Sequence, residues 1–188
     1  PRIVLIDNIE LLNINSVNAL LKILEEPNDN INFILINNNK KILPTLKSRC
    51  LNFKIQLNFN QSIDTINKIL NNNIYDLLNI DLINHYDTPG QLFNLINLQN
   101  QFDLNLKEIN LKDLIFFIIK NKHYKKDLII NELIYSLIEF YLRSKISVDD
   151  ISLINIKDYF LKKINDTKKF NLDEETLLME FEDKVLNG

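Results

Sequence analysis

Glycine is nearly absent from these 188 residues: Gly90 and Gly188 are the only two. The phosphate-cradling loop G-x-x-x-x-G-K-[ST] needs a close pair of glycines, so it is not present in this chain. Cys50 is the single cysteine, which excludes an internal disulfide and a multi-cysteine zinc site and accords with a reducing compartment. The longest unbroken apolar run, Leu114 to Ile119, falls far short of the roughly 18 residues of a membrane span, and no signal-peptide pattern opens the chain. No membrane partner and a cytoplasmic location are therefore expected. Only Arg2, Arg49 and Arg143 are arginines. A net charge of −3 with pI ≈ 5.5 excludes a generic basic nucleic-acid binder, so any DNA contact should be local or indirect. The only methionine is Met179 and an apolar run starts almost at Pro1, so the sequence is expected to be a fragment with an N-terminal part missing.

What the chain has in excess is asparagine, 30 residues with runs at 37–39 and 71–73. Periodic apolar residues flank both runs, which speaks for compositional drift rather than a prion-like tract. Ile3-Val4-Leu5-Ile6 and Phe33-Ile34-Leu35-Ile36 are short continuous apolar runs of the kind found in parallel strands covered on both faces. Between them Val17, Leu20, Leu21 and Leu24 recur at helical spacing, with Asn13 or Asn15 as N-cap and Pro27 stopping the helix by Glu26. Pro44 should open a short helix through Ser48, and Leu51 to Ile55 should form a further strand.

After about Asn58 every segment has helical periodicity. Ile63, Ile66, Ile69 and Leu70 make one face, Leu77, Leu78 and Ile83 a second, and Leu92, Leu95 and Ile96 a third. From Asn105 the periods lengthen: Leu111, Leu114, Ile115, Ile118; Ile130, Leu133, Ile134, Leu137, Ile138, Tyr141; Leu153, Ile156, Phe160, Ile164; and Leu177, Leu178, Phe181, Val185. The fold class is α/β followed by all-α, with three small helices and then a four-helix bundle.

Ile3 to Glu10 reads as four apolar residues followed by Asp7, Asn8, Ile9 and Glu10. A strand that delivers an aspartate to the sheet's C-terminal edge can help to hold magnesium, and a glutamate beside it can orient water. Asn8 in that second place has no basic carboxylate, and an Asp-Asn turn is the plain alternative. Downstream come Asn18-Ala19-Leu20-Leu21-Lys22-Ile23-Leu24-Glu25-Glu26-Pro27 and then Lys41-Ile42-Leu43-Pro44-Thr45-Leu46-Lys47-Ser48-Arg49-Cys50. With Asp7, these stretches resemble in order the Walker-B strand, the following helix and the Ser-Arg-Cys signature of clamp-loader subunits of the AAA+ ATPases.

The resemblance implies that residues 1–56 are the C-terminal half of a AAA+ P-loop-type parallel-sheet nucleotide-binding domain, 57–102 a three-helix lid and 103–188 a helical collar for oligomerisation. It implies that Arg49, with Ser48 and Cys50 as its motif, is an arginine finger acting in trans on ATP and magnesium in a neighbouring subunit's site. This chain itself would bind no cofactor. Asp7 and Asn8 stand at a degenerate Walker-B position, and Asn37 with Asn38 follows the second strand where the family places sensor 1, ahead of a loop one residue shorter than the family pattern. In the lid, Gln91 and Phe93 follow Gly90 where ATP-hydrolysing members carry an arginine, so the pattern resembles the non-hydrolysing delta-prime type more than the gamma/tau motor. Implied partners are gamma/tau and delta-type subunits and, through the complex, the sliding clamp and primer-template DNA. The alternatives are a gamma/tau-type ATPase and a structural helical adaptor with no nucleotide role.

His85 and His123 lack a cysteine or second histidine at ligand spacing, so they are read as surface or partly buried polar residues rather than metal ligands. The cluster Lys120 to Lys126 reads as a solvated basic loop that could also touch DNA or an acidic partner.

Overall fold

A computed structural model describes residues 2–26, 30–38, 41–144 and 151–187, with the side chains of 151–153 left aside. The chain divides into two compact units, Pro1–Gln56 and Leu57–Gly188.

In the first unit, β1 (Arg2–Ile6) and β2 (Ile31–Leu35) pair in parallel, Arg2 opposite Ile31 and Ile6 opposite Leu35. Parallel neighbours need a crossover. It is made by a 3-10 turn at Ile9–Leu11 and helix α1 (Ile14–Glu25). Asn13 is the N-cap of α1, accepting from the Ser16 amide at 2.9 Å, while Glu26, which precedes Pro27, has left helical geometry at φ −126°. Helix α2 (Pro44–Lys47) starts on its proline, whose fixed φ suits the first turn. Ile9, Val17, Leu20 and Leu46 are the buried core, flanked by Ile6, Leu24, Phe33 and Leu35.

Two expectations for this unit do not hold. The strands are not covered on both faces: Ile3 and Leu5 are 66% and 60% exposed, because among the described residues the sheet has two strands and one layer of helix. Leu51 to Ile55 is not a strand either. Residues 51–58 carry no regular secondary structure, and Leu51, Phe53 and Ile55 are 83–88% exposed. Alternating apolar side chains make a strand only when a neighbouring edge receives their backbone, and no described segment pairs with them.

The second unit is helical: α3 (Phe59–Leu70), a single turn α4 (Ile74–Leu77), α5 (Pro89–Phe102), α6 (Leu111–Lys120), α7 (Leu128–Ser144), α8 (Ile151–Phe170) and α9 (Glu174–Phe181), which runs into a π-turn at Glu182–Leu186. The apolar periods lie on buried faces, with Leu111, Leu114, Ile115 and Ile118 of α6 at 0% exposure. Ile69 is the exception. It faces solvent while Ile63 and Ile66 are buried, since it is a turn round from their shared face. Leu153 lies outside the described side chains. One continuous core runs from Ile63 to Leu186, so α3–α5 and α6–α9 share it. No helix of the described residues is long and apolar enough to cross a membrane.

Asparagine does here what glycine does elsewhere. Among the described residues, six non-glycine positions have positive φ, and Asn8, Asn30, Asn71 and Asn171 are four of them; asparagine tolerates the left-handed region better than most side chains with a Cβ. Asn71 closes α3 at φ 50° with its amide on the Asn67 carbonyl. At the opposite ends of helices, the side chains of Asn58, Asn73 and Asn110 accept backbone amides as N-caps. Asn71→Ala is expected to lower unfolding free energy by about 1 kcal/mol, and Asn71→Gly to leave it within about 0.5 kcal/mol of the parent. Urea titration of the two variants checks this.

Candidate functional site

The parallel crossover sets the geography of the first unit. β1 and β2 both end on one edge of the sheet, and there Ile9 donates its amide to the Ile36 carbonyl at 3.1 Å. Asp7 accepts the Asn8 amide at 2.8 Å, so its carboxylate is folded onto its own turn. Asn8 sits in the left-handed region at φ 52°. Its side-chain oxygen accepts from Asn38 Nδ2 at 2.6 Å, and the Asn38 amide donates to Glu10 at 3.4 Å. Asn38, which follows β2, thus reaches across to the turn after β1, and Asn37 beside it is exposed at the strand end. The cluster is Asp7, Asn8, Glu10 and Asn38, a polar edge held by amide groups. No group of three His, Cys, Asp or Glu able to hold a metal occurs among the described residues.

Arg49 stands elsewhere. Helix α1 runs back from that edge, and its 12 residues span about 18 Å at 1.5 Å per residue. Its last residue, Glu25, forms an ion pair with Arg49 Nη2. Arg49 Nη1 donates to the Thr45 carbonyl at 2.9 Å, Ser48 Oγ donates to the same carbonyl at 3.0 Å, and Asn52 Nδ2 donates to the Lys47 and Cys50 carbonyls at 3.0 and 2.8 Å. These bonds satisfy the carbonyls left open at the end of α2. Cys50 is half-buried. Ser48, Arg49 and Cys50 thus form the frayed end of a one-turn helix, braced against the C-terminus of α1. The Arg49 and Glu25 side chains are 35% and 49% exposed, and a surface pair of this kind is worth about 0–1 kcal/mol.

Glu25 was quoted in the sequence only as part of a helix. A physical signal marks it: carboxylates at the C-terminus of a helix face the negative end of its dipole, so Glu25 and Glu26 call for a cation, and arginines are scarce.

In the second unit, Gln91 has a structural occupation. Its side chain accepts the Thr88 amide at 2.9 Å while its own amide donates to Thr88 Oγ1 at 3.3 Å, a capping box that opens α5 with Pro89 in its first turn. In the basic loop the exposed Lys122 and Lys125 both pair with Glu175 of α9 at 2.5 Å. His123 stacks on Phe102 and Phe117 with ring centres 4.0 and 5.0 Å away; burial first, then the Lys126 charge, holds its pKa below the usual value. His85 lies against Phe59 at 4.3 Å.

Residues 1–59 match the protein-family model described as DNA polymerase III, delta subunit. The chain is 32% identical over 179 residues to the DNA polymerase III subunit delta-prime of Buchnera aphidicola from Schizaphis graminum, covering 87% of this chain and 53% of that protein. It is 35% identical over 117 residues to the subunit gamma of the same organism, covering 60% of this chain and 32% of the relative. With the Escherichia coli K12 subunit tau it shares 40% identity over 72 residues, covering 37% of this chain and 11% of that protein. No solved structure matches. The chain is thus similar to delta-prime and gamma/tau subunits of DNA polymerase III. It spans about half the length of the delta-prime relative and a third or less of the gamma and tau relatives.

Just before the α5 cap, burial pushes the Asp87 carboxyl up to about 6 from its ordinary 3.8, partly offset by the Asn84 amide that donates to it at 2.8 Å. A folded-state pKa above the unfolded one favours the fold while the group is protonated in the native state, and this contribution is lost as pH rises from about 4 through about 6. Asp87→Asn keeps an acceptor for Asn84 and removes the titration. The variant is expected to be more stable than the parent above pH 6, with the difference shrinking towards pH 4, as measured by thermal unfolding across that range.

Proposed function

We propose that this chain belongs to a clamp-loader subunit of the delta-prime type, and that Arg49 acts in trans as an arginine finger on ATP and magnesium held by a neighbouring subunit. The observation that carries this reading is the separation of Arg49 from Asp7. The guanidinium is held at the C-terminal end of α1 by Glu25, whereas the strand end that would form a nucleotide site in the same unit precedes α1, which supports service to a different one. A planar, permanently charged guanidinium stabilises charge on a transferring phosphoryl group better than an ammonium does.

Three further features support a non-hydrolysing subunit over a motor. Asn8 supplies an amide where a water-orienting carboxylate would stand, Gln91 is committed to capping α5, and the relative aligned over most of this chain is a delta-prime subunit. On this reading α3–α5 act as the lid and α6–α9 as the collar that meets gamma/tau and delta-type subunits in the cytoplasm. Contact with the sliding clamp and primer-template DNA is then made through the assembled ring.

Arg49→Ala is expected to leave the protein folded, since it removes only a surface pair. In a loader reconstituted with its partner subunits, the same variant should slow single-turnover ATP hydrolysis at the neighbouring site by ~10³-fold or more, and Arg49→Lys should recover little of it. Unchanged hydrolysis would remove the finger role. Intrinsic ATP turnover by the full-length subunit alone would favour the gamma/tau motor instead.

A further inference from the structure

We propose that Glu25 is the positioning residue of the finger: it sets where the Arg49 guanidinium points before a neighbour's nucleotide arrives. The proposal rests on the finger reading of Arg49. An arginine side chain has four rotatable bonds and five N–H donors in a rigid fork. Two points of that fork are fixed here, Nη1 by the Thr45 carbonyl at 2.9 Å and Nη2 by the Glu25 carboxylate. One anchor lies in α2 and the other is the last residue of α1, so the guanidinium plane is defined by two helices that pack on one core. Three N–H groups remain to meet an anion, and the side chain is 35% exposed.

Electrostatics makes the arrangement self-consistent. Glu25 has no favourable place at the negative end of the α1 dipole without a cation, so the pair forms in the isolated chain. The donors not engaged by Thr45 and Glu25 are left for a phosphate. A finger delivered already oriented spares the transition state the ordering of a free side chain. Loss of that orientation lowers the rate of the chemical step while leaving nucleotide affinity, which the other subunit supplies, unaltered.

The test uses the loader reconstituted with full-length subunits carrying Glu25→Ala, Glu25→Gln, Glu25→Asp, Glu26→Ala or Arg49→Ala. Glu25→Ala is expected to lower kcat for ATP hydrolysis at the neighbouring site by about three- to tenfold, as for a misoriented group, with KM for ATP unchanged. Glu25→Gln, which keeps an acceptor without the charge, should fall between Glu25→Ala and the parent. Glu25→Asp should restore most of the rate, and Glu26→Ala should match the parent. If Arg49→Ala lowers hydrolysis while Glu25→Ala leaves it unchanged, Glu25 is a bystander. If Glu25→Ala raises hydrolysis, the carboxylate competes with the nucleotide. Either result overturns the positioning role while leaving the finger intact. If Arg49→Ala itself has no effect, the finger reading fails first and takes this proposal with it.

Discussion

Parallel pairing of β1 with β2 is the constraint from which the rest of the first unit follows. Two parallel neighbours oblige the chain to travel back along the sheet between them, so α1 begins beside Asp7 and ends a helix length away. Asp7, Asn8 and Asn38 are therefore brought together on one edge by strand ends, whereas Arg49 is brought to Glu25 on the other by the end of a helix. One fold element separates two polar clusters that sequence distance alone would not distinguish.

The same unit is unfinished by ordinary standards. Four buried apolar residues are a small core for a segment of this size, and a two-stranded sheet is marginal by itself. Among the described residues, the apolar side chains that the sequence assigns to covered strands, Ile3 and Leu5 above all, have no layer over them, and Leu51, Phe53 and Ile55 pair with no strand. The helical unit is the reverse: every long helix contributes to one core from Ile63 to Leu186.

Legibility followed from how local each signal was. Asn13 and Pro44 act within one turn of themselves, so the α1 cap and the α2 start could be read directly. Helical periods such as Leu111, Leu114, Ile115 and Ile118 carry their own face with them. Leu51 to Ile55 failed because a strand is a property of two segments, and alternation in one says nothing of the other. Glu25 went unnoticed because its partner lies 24 positions on in the sequence and only the crossover brings the two together. The scarcity of glycine was legible, but its consequence, asparagine closing turns at positive φ, needed the backbone.

Gln91 shows how a missing residue and a present one can have a single cause. A helix that starts on Pro89 still has open amides in its first turn, and the Thr88–Gln91 box satisfies them. An arginine at 91 could not accept the Thr88 amide, because a guanidinium has no acceptor. The side chain that secures the start of α5 is therefore chemically incompatible with one that would reach for phosphate from the same position. A chain that fixes this helix end rigidly gives up a cation there, and no lid cation at position 91 is then available to reach a phosphate.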